Sequence, residues 1–435
     1  MMTNNPFTYG NPISDPRRFF GREREIELVF SRLRNAEFES SSLVGERRIG
    51  KTSLLNYLAD KDVRRRYGLN PGTHMFVYVD LQMMNQEVTP VRLWQRLLRQ
   101  MGRVCQDPVV HQAIDEIRQQ DSIDNFALAD LFDIVDDKNQ YVVFLLDEFE
   151  KVTVNSNFGT DFFYGLRSLA IQHHLALVTS SRRELIELCH SEAIRSSPFF
   201  NIFANINVGL FTEDEARDLI ETLLEPSGLQ FETGVVDLIF RVAGLHPYFL
   251  QAACYHAFES YRQPHSLLER AQLIGTQLYQ EAAPHLASYW HTSDEREKIV
   301  LTLLALLDRR GRSGEQRFDI SDLHEYYVRS DQTLSRLEKR GLITEQPEGY
   351  KLFSSAFGDW IAEEITDVAH DTQTYEEWLR ANHATVDRLS SAARHEMGQI
   401  LPRISSEYRD LIVGWVGDPR NLSTASSLLR GVLAR

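Results

Sequence analysis

Residues 43–53 read Leu43-Val44-Gly45-Glu46-Arg47-Arg48-Ile49-Gly50-Lys51-Thr52-Ser53. Gly45, Gly50, Lys51 and Thr52 match G-x-x-x-x-G-K-[ST], the Walker A pattern, in which a loop between a strand and a helix wraps phosphate groups. Glycine is needed where a side chain would block the approach of backbone N–H groups to the anion. The first N–H groups of the following helix favour the same anion. The stretch therefore predicts a phosphate-binding loop over residues 45–53, and not a glycine-rich turn before an ordinary helix.

The polar side chains of this loop predict a nucleoside triphosphate and a metal ion as its ligands. In such loops the lysine, here Lys51, reaches the β- and γ-phosphates, and the hydroxyl group, here that of Thr52, ligates Mg²⁺. We therefore expect ATP and Mg²⁺ at this site.

A second motif lies at residues 141–148, where an apolar run ends in Asp147 and Glu148. Such a run predicts a strand that is buried on both faces of a parallel sheet. Because α/β sheets bind ligands at the carboxyl ends of their strands, Asp147 is expected to hold the Mg²⁺ shell. Glu148 would polarise the attacking water as a general base, so Glu148 and Lys51 are the predicted catalytic residues. Glu150 is expected to be an exposed acid at a helix start.

Apolar runs at residues 75–81, 175–182 and 205–211 predict further strands. A strand at 175–182 that lies beside the Asp147 strand would bring Ser181 and Arg182 near the γ-phosphate, where they could report its presence. A surface cation is the alternative for Arg182.

The segment before the Walker A loop contains aromatic residues and a glycine, among them Phe20 and Gly21. These residues would either wall an adenine ring or form a strap over the core, and pocket composition does not separate the two possibilities.

The predicted fold class is α/β, with a P-loop NTPase core on a parallel sheet over residues 1–211. A helical lid (212–290), a winged helix (291–368) and a helical C-terminal module (369–435) are expected to follow. In the winged helix we expect a short helix near 320–327 and a hairpin that turns at Glu348-Gly349. Its third helix offers the cations Arg329, Arg336, Lys339 and Arg340, but nearby acids offset them, which favours protein docking over DNA binding.

Composition limits the function classes further. The 435 residues are 43 % hydrophobic and 25 % charged, as in a globular protein of several domains. A net charge of −15 argues against a large non-specific nucleic-acid surface. The three cysteines lack metal-like spacing and fit reduced thiols, and neither a membrane span nor a signal peptide is recognised. We therefore expect a cytoplasmic protein with no membrane partner.

Taken together, these motifs resemble the STAND-class signal-transduction ATPases, which are AAA+-like P-loop NTPases related to the origin-recognition ATPases. The resemblance rests on the segments Phe20-Gly21-Arg22-Glu23-x-Glu25, Gly45 to Thr52, Leu145-Leu146-Asp147-Glu148, Thr179-Ser180-Ser181-Arg182 and Gly244-Leu245-His246-Pro247-Tyr248-Phe249-Leu250-Gln251.

The resemblance also implies roles for residues outside the two Walker motifs. It implies that Gly21 and Arg22 border the base, with Phe20 beside them, and that Ser181 and Arg182 sense the γ-phosphate. It further implies that Gly244 and Pro247 pack near the base and sugar. His246, which lies between those two, is a candidate nucleotide contact, although a lone histidine is more often structural.

The resemblance implies a slow ATPase that acts as a nucleotide switch, closed with ADP and open and oligomeric with ATP. It places such a switch in bacterial signalling or phage defence, with a second copy of the chain or another protein as its partner. The alternative is an ATP-regulated DNA-binding protein of the initiator or regulator kind that acts through the winged helix. A steep salt dependence of duplex binding would distinguish this alternative.

Overall fold

The computed structural model describes residues 4–311, 330–346 and 349–366, with isolated positions at 377, 380, 391, 394, 395, 402 and 409. The chain divides into two compact units, one formed by residues 9–226 and the other by the residues before 9 and after 226. The short helix predicted near 320–327, the turn residue Glu348 and almost all of the predicted C-terminal module lie outside the described residues. The four-part domain division stays a prediction.

The unit of residues 9–226 is built on a parallel sheet of five strands. The strands are β1 (Ser40–Val44), β2 (His74–Asp80), β3 (Tyr141–Asp147), β4 (Leu175–Ser181) and β5 (Phe203–Asn207). Their order across the sheet is β2-β3-β4-β1-β5. The predicted α/β fold with a parallel sheet is therefore confirmed.

The predicted bounds of the last strand, 205–211, are wrong, because β5 ends at Asn207. The chain leaves the sheet here, and the carbonyl groups of Gly209 and Leu210 accept hydrogen bonds from the side chain of Arg22. The apolar pattern of residues 205–211 could not show where the strand ends, because it does not reveal that Arg22, far away in the chain, bonds to these carbonyl groups.

Helices cover both faces of the sheet. They are α1 (Glu23–Arg34), α2 (Lys51–Ala59), α3 (Lys61–Arg66), α4 (Pro90–Val104), α5 (Pro108–Arg118), α6 (Asn125–Asp137), α7 (Glu150–Thr153), α8 (Thr160–Gln172) and α9 (Glu192–Arg195). A further helix of this unit, α10 (Glu213–Leu224), follows β5 in the chain. Alternate residues of β3 point to opposite faces. Phe144 lies in one apolar core with Leu97 and Phe132, and Leu145 lies in the other with Leu55. Burial on both faces explains why this strand reads as one continuous apolar run.

The order of the strands brings three strand ends together. β4 lies between β3 and β1, and Ser181 is in register with Val44. The Walker A loop, which follows Val44, therefore begins beside the segments that follow Asp147 and Ser181.

The second unit is largely helical. Its helices are α11 (Thr233–Ala243), α12 (Pro247–Ser260), α13 (Leu267–His291), α14 (Glu295–Gly311), α15 (Ser330–Lys339) and α16 (Ser355–Thr366). An antiparallel hairpin of β6 (Ile343–Gln346) and β7 (Gly349–Leu352) lies between α15 and α16 in the chain. The winged helix stays a prediction, because residues 312–329 lie outside the described part of the chain.

Two of the four cations predicted for a DNA-facing helix are used inside this second unit. Arg340 is buried and donates a hydrogen bond to Glu297 at 2.6 Å. Arg336 pairs with an acid of the same unit at 3.0 Å. The other two are Lys339, which is exposed, and Arg329, which lies outside the described residues. DNA binding stays a prediction.

Two further features of the described residues bear on the expectations from sequence. No helix among them is long and apolar enough to cross a lipid bilayer. The three cysteines are free, and burial raises the pKa of the Cys189 thiol to about 11, so that it stays protonated at neutral pH.

Candidate functional site

The Walker A loop needs glycine at both of its ends. A Cβ at Gly45 would collide with the carbonyl oxygen of Val208, and the Gly45 N–H donates to the carbonyl of Ser181 at 3.1 Å. Gly50 has a φ of 101°, a conformation that side chains disfavour, and α2 starts directly after it. No side chain caps the first N–H groups of α2. The loop and the helix start therefore present backbone donors to an anion.

The side chains between the two glycines differ in their surroundings. Ile49 is buried in the core beside α2, and Glu46 is buried as well. Arg47 and Arg48 are exposed, and Arg48 donates to the carbonyl of Gly10 at 3.0 Å. Two of these side chains thus pack into the protein, and the two arginines lie at its surface.

Lys51 lies inside the loop. Its ammonium group donates to the carbonyl oxygens of Gly45 at 2.7 Å and Glu46 at 3.0 Å, and the residue is only 6 % exposed. Burial lowers the pKa of Lys51, while Glu148 and Glu150 oppose this shift. The cation is thus held at the centre of the loop with acids around it.

Asp147 is a buried carboxylate surrounded by hydroxyl groups. It accepts hydrogen bonds from Thr52 at 2.7 Å and Tyr78 at 3.1 Å through Oδ2, and from Ser180 through Oδ1. Burial and the nearby Asp147 charge raise the pKa of Tyr78, which keeps this donor protonated. A carboxylate beside the Thr52 hydroxyl is the oxygen donor set that Mg²⁺ prefers. The residues present therefore fit a magnesium ion.

Glu148 is held in a strained conformation next to Asp147. Its φ is 57°, which is unfavourable for a residue with a side chain, and its N–H donates to the Ser180 hydroxyl at 3.0 Å. Burial raises the pKa of the half-buried Glu148 carboxyl, and so does the charge of Glu150, while Lys51 and Arg182 lower it. Such a carboxylate can accept a proton from a water molecule.

Glu150 is not the exposed acid expected from the sequence. It is 3 % exposed, and its Oε1 accepts a hydrogen bond from Nε of Arg182 at 3.0 Å. That expectation was wrong because the partner, Arg182, comes from the end of another strand. Arg182 also acts on Glu148 through its charge, so these three residues share one electrostatic environment.

The two serines at the end of β4, Ser180 and Ser181, contact different parts of the site. Ser180, which was not predicted as a site residue, contacts Asp147 and Glu148. The hydroxyl of Ser181 donates instead to the carbonyl of Arg183 at 2.6 Å, and its own carbonyl accepts the Gly45 N–H. Successive side chains of a strand point to opposite faces of the sheet, so only one of the two serines can share a face with Asp147. The pairing of Thr179 with Leu146 places Ser180 beside Asp147.

Arg22 is buried between the loop and the segment that follows β5. Its guanidinium donates to the carbonyl oxygens of Gly209 at 2.6 Å and Ile49 at 3.3 Å, and it lies 4.7 Å from the ring centre of Phe211. Its N–H donates to Glu215 of α10 at 2.6 Å. Arg22 thus ties the end of the Walker A loop to α10, through its side chain at the loop and its backbone N–H at α10.

The segment before α1 lies along α2. The Ile13 N–H donates to the Ser53 hydroxyl at 2.9 Å, and Asn56 donates back to the Ile13 carbonyl at 3.1 Å. Phe20 and Gly21 lie at the end of this segment, where Phe20 is half-buried. A strap over the core was one of the two alternatives for this segment, and these hydrogen bonds to α2 are contacts of that kind.

The remaining predicted site residues belong to the second unit. His246 is 2 % exposed, and its Nε2 lies 3.1 Å from the Tyr289 hydroxyl. Its ring packs against Phe353, and Pro247 begins α12. These contacts tie His246 to its own unit.

Residues 35–270, more than half of the sequence, match the family described as Novel STAND NTPase 2. The chain belongs to this family. The resemblance to STAND-class ATPases is therefore confirmed. The residues of the two Walker motifs lie within residues 35–270, the part of the chain that matches the family. Among curated proteins, no relative matches the chain.

Solved structures resemble the chain more distantly. The Walker-type ATPase PABY2304 of Pyrococcus abyssi is 14 % identical with a TM-score of 0.49, and the match covers 81 % of this chain and 99 % of that one. The ORC2 protein of Aeropyrum pernix in its ADPNP–ADP complexes is 15 % identical with a TM-score of 0.49, and the match covers 83 % and 97 %.

Proposed function

We propose that this chain binds ATP and Mg²⁺ at the carboxyl edge of its parallel sheet, hydrolyses ATP slowly and acts as a nucleotide-controlled switch. The observation that carries the proposal is the position of Lys51, whose buried ammonium group lies within the loop against the carbonyl oxygens of Gly45 and Glu46. A buried ammonium group is stabilised by a nearby anion. Membership in an NTPase family supports the phosphates of a nucleotide as that anion.

In this proposal the loop and Lys51 hold the phosphates. The uncapped N–H groups at the start of α2 supply directional donors, and Lys51 supplies the positive charge. Thr52 and Asp147 would hold Mg²⁺. The ion, when bound, would neutralise negative charge on the phosphate oxygens.

Glu148 is the proposed general base. Its backbone is fixed by the hydrogen bond to Ser180, and its raised pKa makes it a stronger acceptor of a proton from water. Arg182 is the proposed contact of the γ-phosphate. Arg22 is proposed to link the loop to α10, because its side chain donates to the Ile49 carbonyl while its backbone N–H donates to Glu215.

The switch rests on the difference between ATP and ADP at Arg182. A ligand shifts a conformational equilibrium only when its affinities for the two states differ, and the γ-phosphate is the part that ADP lacks. We propose that ATP favours an oligomer or the binding of a protein partner, and that ADP favours a closed single chain. The setting that we propose is bacterial signalling or phage defence, as implied by the resemblance to STAND-class ATPases.

Sizing of the purified chain with ADP and with ATP tests the proposal, together with Glu148→Gln held in ATP and Lys51→Ala as the control without bound nucleotide. We expect a larger species for the parent chain or for Glu148→Gln in ATP, and a single-chain species for ADP and for Lys51→Ala. A chain that binds and hydrolyses ATP at one constant size and shape would be a simple ATPase. A chain that binds no nucleotide would refute the site itself.

A further inference from the structure

We propose that Glu150 is a positioning residue, which fixes Arg182 so that its terminal guanidinium nitrogens remain available to the terminal phosphate of a bound nucleoside triphosphate. This inference rests on the proposed function, in which Arg182 contacts the γ-phosphate that ADP lacks. It adds Glu150 as the residue that holds Arg182 in place for that contact.

The first observation is the asymmetry of the Glu150–Arg182 pair. The side chain of Glu150 is 3 % exposed, whereas that of Arg182 is 34 % exposed. The acid is therefore sealed in the protein, and the arginine is open on one side. In the Arg340–Glu297 pair of the other unit, by contrast, both side chains are buried.

The second observation is which nitrogen of Arg182 is used. Nε donates to Oε1 of Glu150 at 3.0 Å, and this is the hydrogen bond that the side chain makes among the described residues. The guanidinium group carries five N–H donors in a planar fork, and four of them belong to the terminal nitrogens. Anchoring through Nε leaves a planar, charged fork of the kind that binds phosphate through two parallel hydrogen bonds.

The third observation explains why Arg182 stays with Glu150 and does not leave it for a ligand. The Oε2 atom of Glu150 is buried and, within the described residues, has no hydrogen-bond partner. Removing the cation would leave a buried carboxylate without compensation, which is strongly unfavourable. Arg182 is thus expected to keep its bond to Glu150 while it binds an anion with its other nitrogens.

The fourth observation is the location of the pair. Glu150 follows Glu148 by two residues at the start of α7, and Arg182 follows directly after β4, the neighbour of β3. Both Arg182 and Glu150 act on Glu148 through their charges, and Glu150 also acts on Lys51. The pair therefore lies in the electrostatic environment of the proposed phosphate site.

The test compares affinities for Mg²⁺-ADP and for Mg²⁺-ATPγS, a slowly hydrolysed triphosphate, by calorimetry on the full chain. The variants are Glu150→Gln, Arg182→Gln and the double variant, with Asp136→Asn as the control. Asp136 is a partly buried acid that accepts a hydrogen bond from His173 at 2.9 Å, and it lies in the same unit away from the Walker motifs. The double variant removes both charges together, so it remains informative if Arg182→Gln alone fails to fold.

We expect Glu150→Gln to lower the ratio of ATPγS to ADP affinity by roughly 10-fold, the size of one weakened charge-assisted hydrogen bond. The affinity for ADP should stay within about 2-fold of the parent chain, and Asp136→Asn should keep the parent ratio. Because Glu150 acts through Arg182, the affinity ratio of the double variant should fall no further than that of Arg182→Gln alone. If Arg182→Gln cannot be measured, the ratio of the double variant should fall by no more than roughly 10²-fold in total.

A parent-like ratio in Glu150→Gln would overturn the inference, and so would losses that add fully in the double variant, since Glu150 would then act independently. Failure of the proposed function gives a different result, because the parent chain and Asp136→Asn would then bind neither nucleotide. Binding of both nucleotides with equal affinity by the parent chain would overturn the positioning role and leave the phosphate site intact.

Discussion

Each unit of the chain contains an arginine that is paired with a buried glutamate, and the two pairs differ in what the arginine has left to offer. Arg182 bonds Glu150 through Nε and keeps a 34 % exposed side chain. Arg340 is 5 % exposed and donates from both terminal nitrogens. Its acceptors are Glu297, the hydroxyls of Ser293 and Thr292, and the carbonyl of Tyr289.

The difference teaches how to separate a structural arginine from a functional one. A guanidinium group whose N–H donors are used by the protein joins elements, as Arg340 joins the end of α15 to the start of α14. A guanidinium group that is anchored at one nitrogen can bind a ligand with the rest. Arg22 follows the first pattern, although its sequence motif pointed to the base of a nucleotide.

The largest effect is expected where the comparison predicts a purely structural arginine. Arg340→Ala leaves Glu297, which is 1 % exposed, as a buried charge without its main partner. Broken buried pairs typically lower stability by about 3–5 kcal/mol, which urea unfolding would measure. Arg336→Ala is the matched control, because its pair with Asp294 is exposed and exposed pairs contribute about 0–1 kcal/mol. Equal losses in the two variants would show that burial does not separate them.

Lys51→Ala, in the unit of residues 9–226, tests the opposite case to Arg340→Ala. Here nucleotide binding should be lost while the fold is kept. The variant removes the cation that lies inside the loop, so we expect ATP binding to weaken by roughly 10²-fold or more. Calorimetry measures the affinity, and circular dichroism with thermal melting checks the fold. An unchanged affinity would show that the loop does not bind phosphate.

How far the sequence predicts this molecule depends on the distance between interacting residues in the chain. β3 and the Walker A loop were predictable, because burial and glycine geometry act on neighbouring residues. The capping box of α10, in which Thr212 and Glu215 bond each other, is another interaction between residues that are close in the chain. The interactions that were missed join residues far apart in the chain: Arg182 to Glu150 over 32 positions and Arg22 to Glu215 over 193.

Those missed contacts change how individual residues are interpreted. Ser180 and Ser181 are equivalent as neighbours in sequence, and only the pairing of β4 with β3 selects Ser180 for the Asp147 contact. In the same way, a helix-start acid such as Glu150 is usually exposed, and only the position of Arg182 explains its burial. Local patterns therefore predicted where the motifs of the candidate site lie in the chain, and the strand order determined which side chains contact one another there.

Glu148→Gln separates binding from chemistry within the P-loop unit. The amide cannot accept a proton from water, so hydrolysis should slow by roughly 10²-fold or more while ATP remains bound. Single-turnover hydrolysis measures the rate, and calorimetry on the same preparation measures the affinity. Hydrolysis at the parent rate in both Glu148→Gln and Asp147→Ala would show that the two strand-end acids are structural.

The smallest effect, a shift in a pH profile, examines the Arg182 pair most directly. Burial and the charge of Glu150 raise the pKa of Glu148. A general base works only when deprotonated, so kcat/KM should fall on the acid side at a pH above the usual glutamate pKa of about 4.3. Glu150→Gln removes one of the charges that raise this pKa, so the acid limb should move to lower pH. Arg182→Gln removes a charge that lowers the pKa, so its limb should move to higher pH. Arg336→Ala, in the second unit, should leave the limb where the parent has it.

Shifts of opposite sign in the two site variants would be difficult to explain by a general loss of stability, because a loss of stability would move both profiles in the same direction. A limb that stays in place in both variants would show that the pair does not act on Glu148, and Arg182 would then resemble Arg340 in being a structural residue.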